Sequence, residues 1–263
     1  MDLGLQGKSV LVTAASKGLG KATAKQFAKE GAHVFLSSRS EEELKRTVEE
    51  IRSETGNDDV RYAVCDITKP QDVKDLVAEI VDWKGTVDVL INNSGGPPAG
   101  GFDSFDDEQW QFAFELNLLS FVRTIREVLP HMRKQGSGHI VNFTSSSMKQ
   151  PVDDLILSNT FRTGVVGLAK SLSQELAKDN ILVNVVGPGR IATDRVAHLD
   201  KVKADKLNVN PEAVKANAEQ SIPLGRYGEP AEFARMVVFL CSNANTYITG
   251  QSLLVDGGLV KAL

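Results

Sequence analysis

The chain has 263 residues, of which 41% are hydrophobic, 24% charged and 6% aromatic. These values exclude an intrinsically disordered chain and a small disulfide-stabilised scaffold, and the length fits one large domain. Thirty basic residues against 34 acidic ones give a formal net charge of −4, which excludes the broad positive surface that nucleic-acid binding requires.

Glycine and proline are dispersed along the chain instead of marking a linker. We therefore predict a single domain over residues 1–263. The cysteines, Cys65 and Cys241, each lie among apolar residues, which is typical of buried thiols in a reducing compartment. The first residues show no basic stretch followed by an apolar core, and no apolar run is long enough to cross a bilayer. We expect a cytoplasmic protein that binds neither nucleic acid nor a membrane.

Short segments rich in Val, Ile and Leu alternate along the chain with longer segments of helical period. Continuous apolar strands separated by helices indicate a parallel sheet covered on both faces, which is a doubly wound α/β fold. The predicted strands cover residues 9–12, 33–36, 60–64, 87–91, 139–143, 181–186 and 252–255.

A glycine-containing turn joins the first predicted strand to the first predicted helix, which covers residues 18–30. The turn reads Thr-Ala-Ala-Ser-Lys-Gly-Leu-Gly from Thr13 to Gly20. Small residues let the backbone approach a pyrophosphate, and the helix N-terminus offers it free N–H groups and a positive dipole end. At the start of an alternating α/β pattern this element predicts dinucleotide binding. A purely structural turn is the alternative.

The second predicted strand is followed by Arg39 and has no acid at its end that would hold a ribose 2′-hydroxyl. Lys17 lies nearby in the glycine turn. We therefore predict that Arg39 and Lys17 clamp the 2′-phosphate of NADP(H), the guanidinium by its planar fork and the ammonium as a point charge. Two solvated surface cations are the alternative.

A long predicted helix over residues 106–135 has apolar residues all around its axis. A single sheet can bury only one face of such a helix. The remaining face would be a large exposed apolar patch unless a second subunit covers it, so we predict a homo-oligomer. Complete burial within the monomer is the alternative.

After the sixth predicted strand, residues 192–221 form a polar, lysine-rich connection that is longer than usual. Ligands of doubly wound folds bind beyond the carboxyl ends of the strands. We therefore predict that this segment is a mobile substrate lid.

Several separated motifs between Lys8 and Gly258 resemble the short-chain dehydrogenase/reductase family, in particular its 3-oxoacyl-(acyl carrier protein) reductase-like members. The motifs are the glycine turn, Asp66, Asn92-Asn93-Ser94-Gly95, Asn117, Ser145, Pro188-Gly189, Thr193 and Val255-Asp256-Gly257-Gly258. The resemblance implies a Rossmann-type sheet of seven parallel strands, a nicotinamide cofactor, a small-molecule substrate and a homo-oligomer, commonly a tetramer, with a dimer as the alternative.

The resemblance also assigns site residues, with Asp66 on the adenine, Asn92 and Gly95 on the cofactor ribose, and Thr193 at the nicotinamide end. The expected cofactor-binding residues are Thr13, Ser16, Lys17, Gly18, Leu19, Gly20, Arg39, Asp66, Ile67, Asn92, Gly95, Arg162, Pro188, Gly189 and Thr193. The expected catalytic residues are Asn117, Ser145, Ser158 and Arg162. No histidines have metal-ligand spacing, so no metal is expected.

Three positions depart from the family pattern. Ala14 stands where the glycine turn usually has Gly; because alanine does not readily take positive φ, we expect a slightly different turn or a position that does not require it. Ser158 and Arg162 stand where the family has its catalytic Tyr and Lys, thirteen and seventeen residues after Ser145. Spaced four apart on one helix, they are expected to share a face.

The replacement of Tyr and Lys removes the family's acid. A phenol has a pKa of about 10, whereas a serine hydroxyl is a far weaker acid, and a guanidinium does not relay protons. Ser158 can still hydrogen-bond a carbonyl, and Arg162 can hold the cofactor ribose. The other candidate proton sources are Lys149, Asp153, Asp154 and a water held by Asn117 and Ser145. For the acids the alternative is an acidic helix N-terminus, and for the lysine it is solvation.

Two functions are compatible with these residues. The first is an NADP(H)-dependent oxidoreductase that reduces an imine, or a carbonyl polarised by Arg162 and Ser145, with atypical proton delivery. The second is an NADP(H)-binding sensor or scaffold without redox chemistry. Asn117 and Ser145, which match the family pattern, favour the enzyme, as does the predicted lid. Arg190, Arg195 and Lys201 are compatible with an acidic substrate or with solvated surface charge.

Overall fold

The computed structural model describes residues 2–262. Within them, seven parallel strands form one sheet in the order β3-β2-β1-β4-β5-β6-β7. The strands are β1 (Ser9–Val12), β2 (His33–Ser38), β3 (Val60–Val64), β4 (Val89–Asn92), β5 (Gly138–Phe143), β6 (Ile181–Pro188) and β7 (Ser252–Val255). The predicted doubly wound α/β fold is therefore confirmed.

Helices cover both faces of the sheet. They are α1 (Gly18–Lys29), α2 (Glu41–Thr55), α3 (Pro70–Lys84), α4 (Asp107–Phe114), α5 (Ser120–Gln135), α6 (Ile156–Glu175), α7 (Asp194–Leu207), α8 (Pro211–Ser221) and α9 (Pro230–Leu240). Apolar residues of α1, α2 and α9 pack on one face, and those of α3, α5 and α6 pack on the other. No helix over residues 2–262 is long and apolar enough to cross a membrane.

Burial on both faces explains why the strands read as continuous apolar runs. In β1, Val10 and Val12 belong to one core cluster and Leu11 belongs to the other. Strands β2 and β6 are longer than predicted because the polar Ser37 and the small Gly187 still pair with their neighbouring strands. Backbone pairing depends on position in the sheet and not on side-chain hydropathy.

The order of the strands reverses between β1 and β4, since the chain proceeds outward from β1 first to β3 and then returns to β4. In a doubly wound sheet this switch point leaves a crevice at the carboxyl ends of the two central strands. The glycine turn follows β1, and the Asn92-Asn93-Ser94-Gly95 motif begins at the end of β4. The fold therefore brings these two motifs to the same crevice.

The predicted long helix consists of α4, a π-helical turn over Glu115–Leu119, and α5. Its sheet-facing residues, including Phe121, Ile125 and Val128, are buried. Around α4, Trp110 and Phe114 are only half-buried, and Phe112 is 46% exposed. The side of α4 that carries Phe112 is thus incompletely covered by the chain itself.

The polar segment after β6 is not an irregular connection, because it forms helices α7 and α8. Thr193 accepts a hydrogen bond from Val196 N at the start of α7, and Asn210 accepts one from Glu212 N at the start of α8. Such caps satisfy backbone donors that a helix leaves free at its N-terminus. The segment is therefore an ordered helical pair beside the carboxyl edge of the sheet.

Candidate functional site

The glycine turn is tied directly to the end of β4. Thr13 Oγ1 donates to the carbonyl oxygen of Asn93 at 2.7 Å and accepts from its N–H at 2.8 Å. Asn93 Nδ2 donates to the Ala14 carbonyl at 3.0 Å. A Cβ on Gly20 would lie 2.6 Å from that same carbonyl oxygen, so only glycine fits there. This close packing holds α1 with its N-terminus open to the crevice.

Ala14 adopts φ 46°, which corrects the expectation that this position avoids the left-handed region. Its neighbours fix it, because Thr13 N donates to Ile91 O at 3.1 Å and Ala15 N donates to Ser37 O at 2.9 Å. The left-handed conformation costs an L-residue about 1–2 kcal/mol. The surrounding sheet contacts therefore impose the turn that the family usually makes with glycine.

The two cations of the predicted phosphate clamp differ in their surroundings. Lys17 Nζ lies 3.4 Å from Oε1 of Glu43 in the first turn of α2, and Ser16 Oγ donates to the other carboxylate oxygen at 3.0 Å. The Ser16 hydrogen bond and the Lys17 charge lower the pKa of Glu43. Arg39 is exposed, and within residues 2–262 it makes no salt bridge. The sequence predicted the clamp but did not reveal that Glu43 lies beside it.

Asp66 lies just after β3, beside the buried Ile67. Its Oδ1 accepts hydrogen bonds from Thr68 N at 3.0 Å and Thr68 Oγ1 at 2.7 Å. Partial burial raises the pKa of Asp66, but these hydrogen bonds and the positive charge of Arg39 outweigh it and lower the pKa overall. The carboxylate therefore stays ionised and can accept a hydrogen bond from a ligand.

Asn92 does not face the crevice, which corrects its expected contact with a cofactor ribose. The residue is completely buried; its Nδ2 donates to Asn142 Oδ1 at 2.9 Å, and its Oδ1 accepts from the Thr124 hydroxyl. Its side chain joins β4 to β5 and α5. The exposed Gly95 is the member of this motif that a ligand can reach.

Asn117 occupies the π-helical turn and is also completely buried. Its Nδ2 donates to Ser94 Oγ at 2.9 Å and to Gly95 O at 2.8 Å. Its Oδ1 has no hydrogen-bond partner within the part of the chain that the structure describes. A buried amide oxygen normally has a partner, so this atom is an acceptor suited to a ligand or a bound water.

Arg162 is 5% exposed, and its Nη1 donates to the carbonyl oxygen of Phe143, the last residue of β5, at 2.8 Å. Burial lowers the pKa of Arg162 to about 10, with a further contribution from the charge of Arg195. The guanidinium therefore remains a cation at neutral pH. Ser158 is also buried and lies on α6, the helix that carries Arg162. Ser145 lies two residues after Phe143, and its Oγ accepts a hydrogen bond from Ser147 N at 3.2 Å.

The structure also shows the surroundings of the charged side chains that were predicted as alternative proton sources. Lys149 and Asp153 are exposed. Asp154 lies 3.8 Å from Lys206 of α7 and has φ 57°. Helix α6 begins after both acids, at Ile156, and no side chain caps it, so these acids do not form the expected helix N-terminus. His198 is exposed.

The end of β6 leads from the sheet to α7. Gly189 N donates to Val255 O of β7 at 2.9 Å, and Thr193 caps α7 as described above. Arg195, in the first turn of α7, extends to the loop after β4, where its Nη2 donates to Pro97 O at 3.3 Å. Sequence reasoning placed Arg195 only near the lid, because contacts between distant loops leave no local pattern.

Together, the doubly wound parallel sheet and the glycine turn at its switch point define a Rossmann-type α/β protein. The family model described as enoyl-(acyl carrier protein) reductase matches residues 13–260. The 3-oxoacyl-(acyl-carrier-protein) reductase of Thermotoga maritima is 36% identical over 97% of this chain and 99% of its own length. The pig dehydrogenase/reductase SDR family member 4 is 34% identical over 98% of this chain and 89% of its own length. The chain belongs to the short-chain dehydrogenase/reductase family, as its motifs indicated.

Solved structures agree with this assignment. A single-residue variant of actinorhodin polyketide ketoreductase with NADPH is 36% identical, with a TM-score of 0.92 over 96% of this chain and 97% of that one. The L-sorbose reductase of Gluconobacter frateurii, complexed with NADPH and L-sorbose, is 32% identical, with a TM-score of 0.95 over the whole of both chains. These relatives are reductases.

Proposed function

We propose that this protein is an NADP(H)-dependent oxidoreductase that reduces a carbonyl or imine without the phenol acid of its family. The buried Arg162 carries this proposal. Its hydrogen bond to Phe143 O holds a positive charge at the carboxyl edge of β5, close to Ser145 in the chain. A buried charge is expensive to maintain, and a site in which negative charge develops during a reaction is where it stabilises most.

The residues of the crevice fit a dinucleotide. The approach of Gly20 to the Ala14 carbonyl leaves the N-terminus of α1 available to a pyrophosphate. The exposed Arg39 suits a 2′-phosphate, and Asp66 keeps an ionised acceptor at the end of β3. The NADPH complexes of related reductases support the choice of NADP(H). When bound, NADPH supplies a hydride.

The chain's own residues would then stabilise the negative charge that develops on the substrate oxygen as hydride is transferred. We assign Ser145 and Ser158 as hydrogen-bond donors to the substrate oxygen and Arg162 as the cation that stabilises its developing charge. For a carbonyl, we assign the proton to a water held at Asn117 Oδ1, the buried acceptor without a partner in the described residues, and solvent returns a proton to the hydroxide that is left. A protonated imine needs no such donor, because hydride addition leaves a neutral amine.

We further propose that α7 and α8 act as the substrate lid of a single domain, and that the chain forms a homo-oligomer in a reducing compartment. The contact from Arg195 to Pro97 supports the lid, because it joins α7 to the loop after β4 on the other side of the crevice. The incompletely covered face of α4, with Phe112 exposed, supports the oligomer. Both thiols are free and buried, which supports a reducing compartment.

The surroundings of the acids support a second candidate, a protein that binds NADP(H) without reducing anything. Lys149 and Asp153 are exposed, Asp154 lies nearest Lys206, and a serine stands in place of the phenol. A member of the family without the phenol that donates the proton can retain cofactor binding alone.

NADPH oxidation separates the two candidates. The native protein and the Ser158→Tyr/Arg162→Lys variant are tested with 3-oxoacyl thioesters, ketones, quinones and cyclic imines, and NADPH affinity is measured for both. We expect turnover by the native protein with at least one class. Tight NADPH binding with no turnover by the native protein, combined with turnover by the variant, overturns the proposal in favour of the binding role.

A further inference from the structure

We infer that the substrate carries a carboxylate next to its reacting group and that the guanidinium groups of Arg162 and Arg195 bind it. This inference rests on the proposed function and specifies the class of substrate. It predicts that small oxo acids, or the corresponding imino acids, are better substrates than neutral ketones of the same size.

The first support is the position of Arg195. Its Nη2 donates to Pro97 O at 3.3 Å, and a Cβ built on Gly96 would lie 3.1 Å from the same nitrogen. The guanidinium therefore lies directly over the backbone that follows β4, and Gly95, one residue earlier, accepts from Asn117. An arginine from α7 is thus placed against the loop that contacts the predicted catalytic Asn117.

The second support is the absence of an acid partner. Within residues 2–262, neither Arg162 nor Arg195 has a carboxylate within salt-bridge distance, although other cations near α7 do. Arg190 Nη1 is 2.6 Å from Asp200, and Lys206 is paired with Asp154. The two arginines are close enough for Arg195 to lower the pKa of Arg162. Both guanidinium groups therefore lie at the carboxyl edge of the sheet without an acid partner in the described residues, Arg162 buried and Arg195 exposed to solvent.

The third support is chemical. A guanidinium presents a planar fork of N–H donors that matches a carboxylate and forms strong, bidentate hydrogen bonds. Arg162 already uses Nη1 on Phe143, and its other N–H groups make no hydrogen bond within the described chain. A bound carboxylate would reduce both the repulsion between the arginines and the cost of the buried charge. Because Arg162 and Ser158 share α6, the anion would lie beside the reacting group.

The carboxylate is unchanged by the reaction. The carbonyl carbon gains a C–H bond from the hydride of NADPH, the C=O π pair moves to oxygen, and that oxygen takes a proton. An oxo acid becomes a hydroxy acid, and NADPH becomes NADP⁺. Arg195 acts by positioning the substrate and lowering its KM, whereas Arg162 binds the carboxylate and also stabilises the charge that develops on the neighbouring oxygen. Neither arginine relays a proton, in contrast to the family's Tyr and Lys.

The test compares matched acids and esters, namely acetoacetate with methyl acetoacetate and pyruvate with methyl pyruvate. Three proteins are used: the native protein, Arg195→Gln, and Lys203→Gln as a control that removes an exposed cation from the same helix. The measurements are KM and kcat with NADPH, the Kd of NADPH alone, and calorimetric binding of acetoacetate to the NADP⁺ complex, which needs no turnover.

We expect the native protein to prefer each acid over its ester, and Arg195→Gln to raise KM for the acids at least tenfold. KM for the esters, kcat and the Kd of NADPH should change less than twofold, and Lys203→Gln should resemble the native protein. Equal KM values of the native protein for each acid and its ester overturn the inference. So does a parallel loss of NADPH affinity in Arg195→Gln, which would assign the guanidinium to the cofactor phosphates.

The calorimetric arm separates failure of this inference from failure of the proposed function. If acetoacetate binds the NADP⁺ complex through Arg195 but no substrate is reduced, the anion site stands and the oxidoreductase role fails. If neutral ketones are reduced and acetoacetate neither binds nor reacts, the oxidoreductase role stands and the anion site fails.

Discussion

The Tyr227 hydroxyl donates a hydrogen bond of 2.7 Å to Oδ2 of Asp200. Arg190 Nη1 lies 2.6 Å from the other oxygen of the same carboxylate. Asp200 belongs to α7 and is 4% exposed, whereas Arg190 follows β6 and Tyr227 precedes α9. A single buried carboxylate thus joins α7 to the sheet and to α9, and it stays buried because both of its oxygens have partners.

Removing the Tyr227 hydroxyl should loosen α7. We expect Tyr227→Phe to lower the free energy of unfolding by about 1.5–3 kcal/mol, the range for a hydrogen bond to a charged group. Residues of α7 and α8 should also be cleaved faster in limited proteolysis. Urea denaturation and mass mapping of the fragments measure both effects. Tyr247→Phe, at a tyrosine that is 97% exposed, is the control and should change neither the stability nor the rate of cleavage. If Tyr227→Phe also leaves both unchanged, the hydrogen bond to Asp200 does not hold α7 in place.

Much of the fold could be predicted because short apolar runs mark the buried strands and cap residues mark the ends of the helices. Ser40 accepts a hydrogen bond from Glu43 N at the start of α2, and Gly31 has φ 75° after the first helix, as residue types alone indicate. The helices of residues 192–221 were not predicted, because their polar sequence carries only a weak amphipathic signal. The π-turn was missed as well, since apolar residues surround this segment and hide the small shift in helical phase that one wide turn produces.

The candidate site was predictable in its residue types but less so in their partners. Asn92 was expected to face the cofactor, yet its hydrogen bonds with Asn142 and Thr124 hold it in the core. Glu43 was overlooked because it is 27 residues from Ser16, to which it is bonded. Sequence shows which groups follow each strand, but only the packed structure determines which way each side chain points.

The Glu43 carboxylate should weaken the binding of the 2′-phosphate. It is paired with Lys17 and places a negative charge beside the predicted clamp. We therefore expect Glu43→Gln to tighten NADPH binding about fivefold, because removing one unit charge at a few ångströms in water is worth roughly 1 kcal/mol. NADH, which lacks the 2′-phosphate, should bind almost unchanged. Fluorescence titration of both cofactors measures the difference.

Glu42→Gln provides the matched control, since this neighbouring acid is exposed and makes no salt bridge within residues 2–262. It should leave both affinities unchanged. Arg39→Asp should act in the opposite direction and weaken NADPH at least tenfold relative to NADH. If Glu43→Gln instead weakens NADPH, the carboxylate orders Ser16 and Lys17 for binding, and the repulsion argument is wrong.

The buried thiols should make the protein less stable at alkaline pH. Burial raises the pKa of Cys65 to about 12, with neighbouring acids adding to the effect, and burial alone raises that of Cys241 still further. In the unfolded chain both thiols ionise near pH 8.5. Because the folded pKa values are raised, this contribution to stability is complete below about pH 8.5 and is lost as pH rises toward the folded values.

We therefore expect the free energy of unfolding to fall between about pH 9 and 11, and to fall less steeply in Cys65→Ala/Cys241→Ala. A thiol reagent such as 5,5′-dithiobis(2-nitrobenzoate) should react with neither cysteine of the folded protein at pH 8 and with both in guanidinium chloride. Rapid labelling of the folded protein would show that the thiols are accessible and would remove the basis for the pH dependence.

The exposed face of α4 should be an interface between copies of this chain. Phe112 is 46% exposed, and it lies on the opposite side of α4 from Trp110 and Phe114, which stack on Phe161 of α6. A large apolar side chain left in water on this helix is the position that a partner would cover. Phe112→Glu would place a charge there, and we expect it to shift the sedimentation coefficient at micromolar concentration to that of a smaller species. Leu207→Glu, at an α7 leucine that is 58% exposed, should leave the assembly unchanged. A native protein that sediments as a monomer would contradict the prediction, because the face of α4 would then be stable in water without a partner.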